Sequence, residues 1–195
     1  MLGKTHSIAG FGVGLLLSQA LAVRFPVINE YAVLGIVTTT SVIGSLTPDI
    51  DISGSTASRF MPFISKAYKT VYRLLKVKCL DHRCLTHSIF LPLILFCVCI
   101  FVPTINPYLI LALLGYSAGH LSHSVLDMLN YTGVGFFSPL CNKKIRLVPK
   151  FLAVDTGGAR EVLFRLFLVV GIFCYAVFYR FREQTQTLLN AFKQC

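Results

Sequence analysis

The stretch Gly115-Tyr-Ser-Ala-Gly-His-Leu-Ser-His-Ser-Val-Leu-Asp127 decides how this chain is read. It closes an apolar run and reads as a helix, on which residues four apart share a face. His123 and Asp127 are such a pair, and His120 lies one turn before His123 on nearly the same side. Imidazole and carboxylate projecting from one face are the donor types that hold divalent metals. A single His-x3-Asp pair is also what a solvated or hydrogen-bonded polar helix end shows. The surroundings decide between the two.

Those surroundings are the surroundings of a membrane protein. The chain has 195 residues, of which 55% are hydrophobic and 13% charged, with a mean hydropathy of +0.71. A soluble domain carries about 25% charged residues. Apolar runs cover residues 8–23, 31–46, 88–105, 108–129 and 162–179, near the length of membrane spans. Gly10, Gly12 and Gly14 in the first run are residues that let helices approach closely in lipid. Pro48 disfavours helix at Thr47 and stops the second run. Residues 60–78 differ from the rest. Phe60, Phe63, Ile64, Ala67, Val71, Leu74 and Leu75 follow one helical face, and Lys66, Lys69, Arg73 and Lys76 another. That pattern suits a helix lying in the headgroup plane of anionic lipid, or a solvated helix between spans. The expected fold is all-α: an integral membrane bundle of about five helices plus a basic amphipathic interfacial helix. It forms one domain over residues 1–180, with a polar tail at 181–195. No cleavable signal peptide is expected. Seven cysteines without a C-x-x-C pair do not suggest a disulfide scaffold.

The net charge of +10 is no sign of nucleic acid here, because Lys and Arg collect in cytoplasmic loops of membrane proteins. Five spans place the N-terminus, residues 47–87 and residues 130–161 on one face. Thirteen Lys and Arg fall there and four on the other face, which makes the first face cytoplasmic. The same face receives all five histidines and, among the acids, four that matter here: His6, Asp49, Asp51, His82, His87, His120, His123, Asp127 and Glu161.

His6, Asp49, Asp51, His82, His87, His123 and Asp127 exceed the four ligands that close a structural zinc site. They suit two or three divalent ions with open positions. Such a centre lowers the pKa of a bound water and clamps the oxygens of a phosphoester or similar group. Asp49 and Asp51 project differently from an extended segment, so one ligates while the other orients a ligand or takes a proton. His82 and His87 are about 140° apart on a helix and belong on a turn or at a helix start. Asp49 and Arg83 are the candidate catalytic residues. Arg83 either neutralises a substrate phosphate or is a loop charge at the lipid surface. His120 is placed behind the ligands. Glu161 is an outer ligand, or a helix-start acid favoured by the dipole and able to pair with Arg165.

Leu46-Thr-Pro-Asp-Ile-Asp51, His82-Arg-Cys-Leu-Thr-His-Ser88, Gly119-His-Leu-Ser-His-Ser-Val-Leu-Asp127 and Gly133-Val with Ser138-Pro139 together resemble the YdjM-like family. That family is described as LexA-regulated, inner-membrane, metal-dependent hydrolases. An early histidine, matched by His6, and a late Thr-Gly segment before Glu161 belong to the same pattern, which covers roughly residues 5–165. The family is distantly similar to zinc-dependent phospholipase C and P1-type nucleases, and that analogy implies zinc as the metal and phosphoester cleavage; spacing alone names no bond. Three positions depart from the pattern: Ile52 where a histidine is common, Cys84 where the family has glycine, and His120 where an aromatic residue is frequent.

The resulting expectation is an inner-membrane, multi-pass, metal-dependent hydrolase with its site facing the cytoplasm. Its partners would be membrane lipid and a small-molecule or lipid phosphoester, with no nucleic acid. The alternative is a non-catalytic metal-binding or transport protein. A structural zinc knuckle of Cys79, His82, Cys84 and His87 would leave His6, Asp49 and Asp127 unexplained.

Overall fold

A computed structural model describes residues 1–74, 83–102, 106–141 and 143–194. Among these, the regular elements are seven α-helices: α1 (Gly3–Arg24), α2 (Glu30–Leu46), α3 (Thr56–Phe60), α4 (Pro62–Leu74), α5 (Phe90–Phe101), α6 (Pro107–Asp127) and α7 (Ala159–Gln194). Short 3-10 turns lie at Thr47–Asp51, Leu85–His87 and Lys150–Leu152. The expected all-α fold is the fold observed.

Side chains set the helix starts. Asn29 and Asn106 each accept a hydrogen bond from the backbone N–H two residues on, of Tyr31 and Tyr108, and Pro107 occupies the first turn of α6. Four helical segments are long and apolar enough to cross a membrane: Gly3–Arg24, Glu30–Asp51, Pro107–Asp127 and Ala159–Tyr179. The third expected span differs. Helix α5 has twelve residues, about 18 Å of helix against roughly 30 Å of hydrocarbon. Residues 103–105 of that run lie outside the described residues.

The amphipathic segment begins as expected, but it is two helices, since Met61 breaks the turn and Pro62 starts α4. Phe60, Phe63, Ile64, Val71 and Leu74 are all exposed, so none of the described chain covers that face. Residues 75–78 lie outside the described residues. At the other end of the chain α7 continues to Gln194, so the expected polar tail extends a helix.

Helices α1, α2 and α6 pack as a three-helix core. Small residues make this possible. Ser41 of α2 donates to the carbonyl of Gly10 in α1 at 2.7 Å, and a Cβ on Gly119 of α6 would collide with the carbonyl oxygen of Ser41. Gly44 lies equally tight against the Tyr116 backbone, and Gly115 against Val37. Backbones this close exclude larger side chains, the arrangement that lipid favours between helices. Val33, Val37 and Leu111 are fully buried in the middle of the core. Buried hydroxyls bond back to their own helix, as Ser117 does to Leu113 and Thr38 to Leu34. The opposite end of the core is polar.

Candidate metal centre

Four elements deliver side chains to that polar end. His6 sits in the first turn of α1, and Asp49 in the 3-10 turn that follows α2. His87 ends the turn before α5, and His123 and Asp127 occupy the last turns of α6. His6, His87, His123 and Asp127 are each at most 1% exposed, while the Asp49 side chain is 14% exposed. Asp49 therefore stands at the mouth.

The distances are those of a coordination shell. Nε2 of His123 lies 3.1 Å from Nε2 of His87 and 3.5 Å from Oδ1 of Asp49. Nε2 of His87 lies 3.7 Å from Asp49 Oδ1 and 3.7 Å from Asp127 Oδ2. Asp127 Oδ2 is 4.0 Å from His123 Nε2. Four donors at about 2.0–2.1 Å from a tetrahedral zinc are spaced about 3.3–3.4 Å from each other. His6 adjoins this quartet. Its ring stacks on His123 with centroids 3.6 Å apart, and its Nε2 lies 3.3 Å from Asp127 Oδ1. Two overlapping groups are able to hold an ion: Asp49, His87 and His123, and His6, His123 and Asp127.

The tautomers follow from the hydrogen bonds around the rings. His123 Nδ1 lies 2.6 Å from the carbonyl of Ser45 and must donate to it, so its Nε2 carries the lone pair. The Thr86 hydroxyl donates to Asp51 Oδ2 at 3.3 Å, so its oxygen accepts from His87 Nδ1 at 2.9 Å. Nε2 of His87 is then also a lone-pair atom. Two acceptor nitrogens 3.1 Å apart, with carboxylate oxygens beside them, repel each other unless a cation lies among them. The residues present thus fit a divalent metal. Among the described residues, both buried ring nitrogens of His6 and Nδ1 of His120 make no hydrogen bond.

Asp127 is the electrostatic hub. Its Oδ1 takes the Met1 ammonium at 2.7 Å and the Asn130 amide at 2.6 Å. Its Oδ2 lies 2.8 Å from Arg83 Nε. Arg83 also bonds Thr132 and holds a left-handed backbone with φ 74°. A non-glycine residue in that region costs on the order of 1 kcal/mol or more and marks a position held by its surroundings.

The sequence-predicted residues divide. His6, Asp49, His87, His123 and Asp127 come together. Asp51, expected among the ligands, is in neither group and accepts from the Thr86 hydroxyl beside His87; the segment expected to be extended is a 3-10 turn, Thr47–Asp51. His120 is buried beside Tyr116 and bonds the Thr86 backbone, outside both groups. His82 lies outside the described residues. Arg83 touches Asp127. Glu161 is fully buried, and its carboxylate accepts from the backbone of Leu2 and Gly157 and from the Thr5 hydroxyl. It ties α1 to α7 and shows no pairing with Arg165 among the described residues. Cys84 is disulfide-bonded, which the cysteine spacing did not signal.

Several members of the site were missed. Thr86 and Asn130 had a local signal, since one neighbours His87 and the other lies a turn beyond Asp127. The Ser45 carbonyl and the Met1 amino group had none, because backbone groups leave no mark in a motif.

Fold and site together define a class: an all-helical membrane protein with a buried His/Asp cluster at one end of its helix core. More particularly, the chain belongs to the YdjM inner membrane protein family, whose model matches residues 1–185. No curated protein and no solved structure matches it.

Proposed function

We propose that this chain is a multi-pass, membrane-bound, metal-dependent hydrolase that cleaves a phosphoester or a lipid-derived ester. The observation that carries the reading is the facing of two lone-pair nitrogens, His87 Nε2 and His123 Nε2, 3.1 Å apart, with the Asp49 carboxylate 3.7 and 3.5 Å from them. A zinc ion held by His87, His123 and Asp49, with its fourth position left open, would supply a water of lowered pKa and a Lewis acid for the ester oxygen. His6 with the Oδ1 side of Asp127 is the place for a second ion. Asp49, the exposed member, is placed to take a proton from the attacking water and pass it outward. Arg83 positions Asp127, and the guanidinium donors it does not use there are available to a substrate phosphate.

One observation favours a second reading. The Met1 ammonium and Arg83 already neutralise Asp127, which suits a closed site that binds or carries metal without catalysis. Metal analysis of detergent-purified protein, joined to a phosphomonoester and phosphodiester panel, separates the two. Bound zinc with hydrolysis that His87→Ala abolishes supports the hydrolase. Metal flux in proteoliposomes without hydrolysis defeats it.

The charge asymmetry of the sequence supports a site on the cytoplasmic face. The disulfide at Cys84 pulls the other way, since disulfides persist in oxidising compartments. Cys141 is free and exposed in the loop between α6 and α7. A membrane-impermeant thiol reagent should label it in inverted vesicles and not in intact cells; the reverse pattern overturns the orientation.

A further inference from the structure

A cleft of about 610 Å³ runs between α1, α6 and α7. Ala9, Val13, Ala118, Leu126, Phe167 and Gly171 are among its walls, and no charged side chain lines it. Small residues open it from all three sides. A Cβ built on Gly171 meets nothing within 4 Å. Its volume falls in the range of small-ligand pockets, roughly 300–1,000 Å³.

No residue of the His/Asp cluster lines the cleft, but cleft-lining residues are close sequence neighbours of cluster residues on two helices, on the next helix face round. Leu126 immediately precedes Asp127, Ser122 precedes His123, and Ala9 stands one turn beyond His6. All three walls are helices long and apolar enough to cross a membrane. We infer that the cleft holds one hydrocarbon chain of a lipid phosphoester whose headgroup reaches the His/Asp cluster. This rests on the hydrolase reading and gives it a substrate class.

The shape supports a chain over a second copy of the protein. From Ala118 to Leu126 the cleft is about 12 Å long, and a helix of that length, about 10 Å across, fills roughly 900 Å³. That exceeds the space. A single extended alkyl chain fits it and leaves no polar group buried against an apolar wall.

The test uses the full chain in vesicles of dioleoyl phosphatidylcholine doped with a phosphatidylglycerol that carries a diazirine on one acyl chain. Photolysis, proteolysis and mass spectrometry locate the label, and metal content is measured on the same samples. Labels should concentrate on residues 118–126 and 167–175. Gly171→Trp, which fills the cleft, should cut them about ten-fold, the loss expected when two or so methylenes lose their burial. Gly35→Trp on α2, whose Cβ also meets nothing within 4 Å, should leave them unchanged. Ala118→Phe repeats the test from another wall should the first variant fail to insert. Metal content should match in all of these. Labels spread over the outer faces of α5 and α7, and indifferent to Gly171→Trp, overturn the inference, as does a cleft protected by dimer formation. Cleft labelling in a protein that binds no divalent metal removes the substrate assignment by removing the metal reading. Full metal binding without cleft labelling removes this inference alone.

Discussion

The relay Asp51–Thr86–His87 offers the sharpest test of the metal centre. Thr86 accepts from His87 Nδ1 at 2.9 Å and donates to Asp51 at 3.3 Å. Thr86→Val keeps the shape and removes both bonds. His87 Nδ1–H then lacks its acceptor, and the tautomer that presents Nε2 to the metal loses its support. Outer-shell partners of this kind are worth roughly 10–100-fold in metal affinity. That is about 1.4–2.7 kcal/mol. The cost of leaving one buried polar group unsatisfied, about 1–3 kcal/mol, gives the same size by an independent route. The measurement is a zinc titration of detergent-solubilised protein against a chelator of known affinity. Wild type, Thr86→Val and His87→Ala should rank in that order, with the first step about one to two decades. Equal affinity in wild type and Thr86→Val, with His87→Ala still abolishing binding, would refute the relay. Full zinc binding by His87→Ala would refute the ligand set itself.

Asp127→Asn should strip the metal and also destabilise the protein, because the Met1 ammonium and Arg83 are left buried beside a neutral amide. Breaking a buried pair costs about 3–5 kcal/mol, visible as a lower thermal midpoint even in metal-free protein. Gly119→Val tests the helix core, where added carbons would strike the Ser41 backbone. It should cost about 1–3 kcal/mol by overpacking, and an unchanged midpoint would contradict the close approach. Metal retention should fall with acidification. Histidine binds metal only when neutral and carboxylate only when ionised, so protons compete with the metal for these ligands and affinity is lost as pH falls. Equilibrium dialysis from neutral to mildly acid pH checks this, and affinity that rises on acidification would exclude imidazole ligands.

Much of the fold was legible without coordinates because hydropathy and helix length report directly on the solvent. Four apolar segments of spanning length and low charge read as they fold, and successive antiparallel helices return alternate loops to the same end. The alternation of apolar runs, α5 included, brings His6, Asp49, His87, His123 and Asp127 to one end of the chain's helices, and the motif order adds the family. Helix α5 was read too long because a run of hydropathy marks apolar chain, not helical chain; the described helix ends at Phe101.

What the chain's order of residues left open was the last few ångströms. Which nitrogen of His87 or His123 faces the centre depends on Thr86 and on a backbone carbonyl of Ser45, neither of them a ligand type. The role of Glu161 depends on the first turn of α1 folding back onto the start of α7. The cleft exists because small residues on three separate helices stand across from one another. Hydropathy and spacing are properties of one helix at a time. Coordination geometry is set by how closely α1, α2 and α6 approach, and glycines and serines on their mutual faces decide that only once the three are packed.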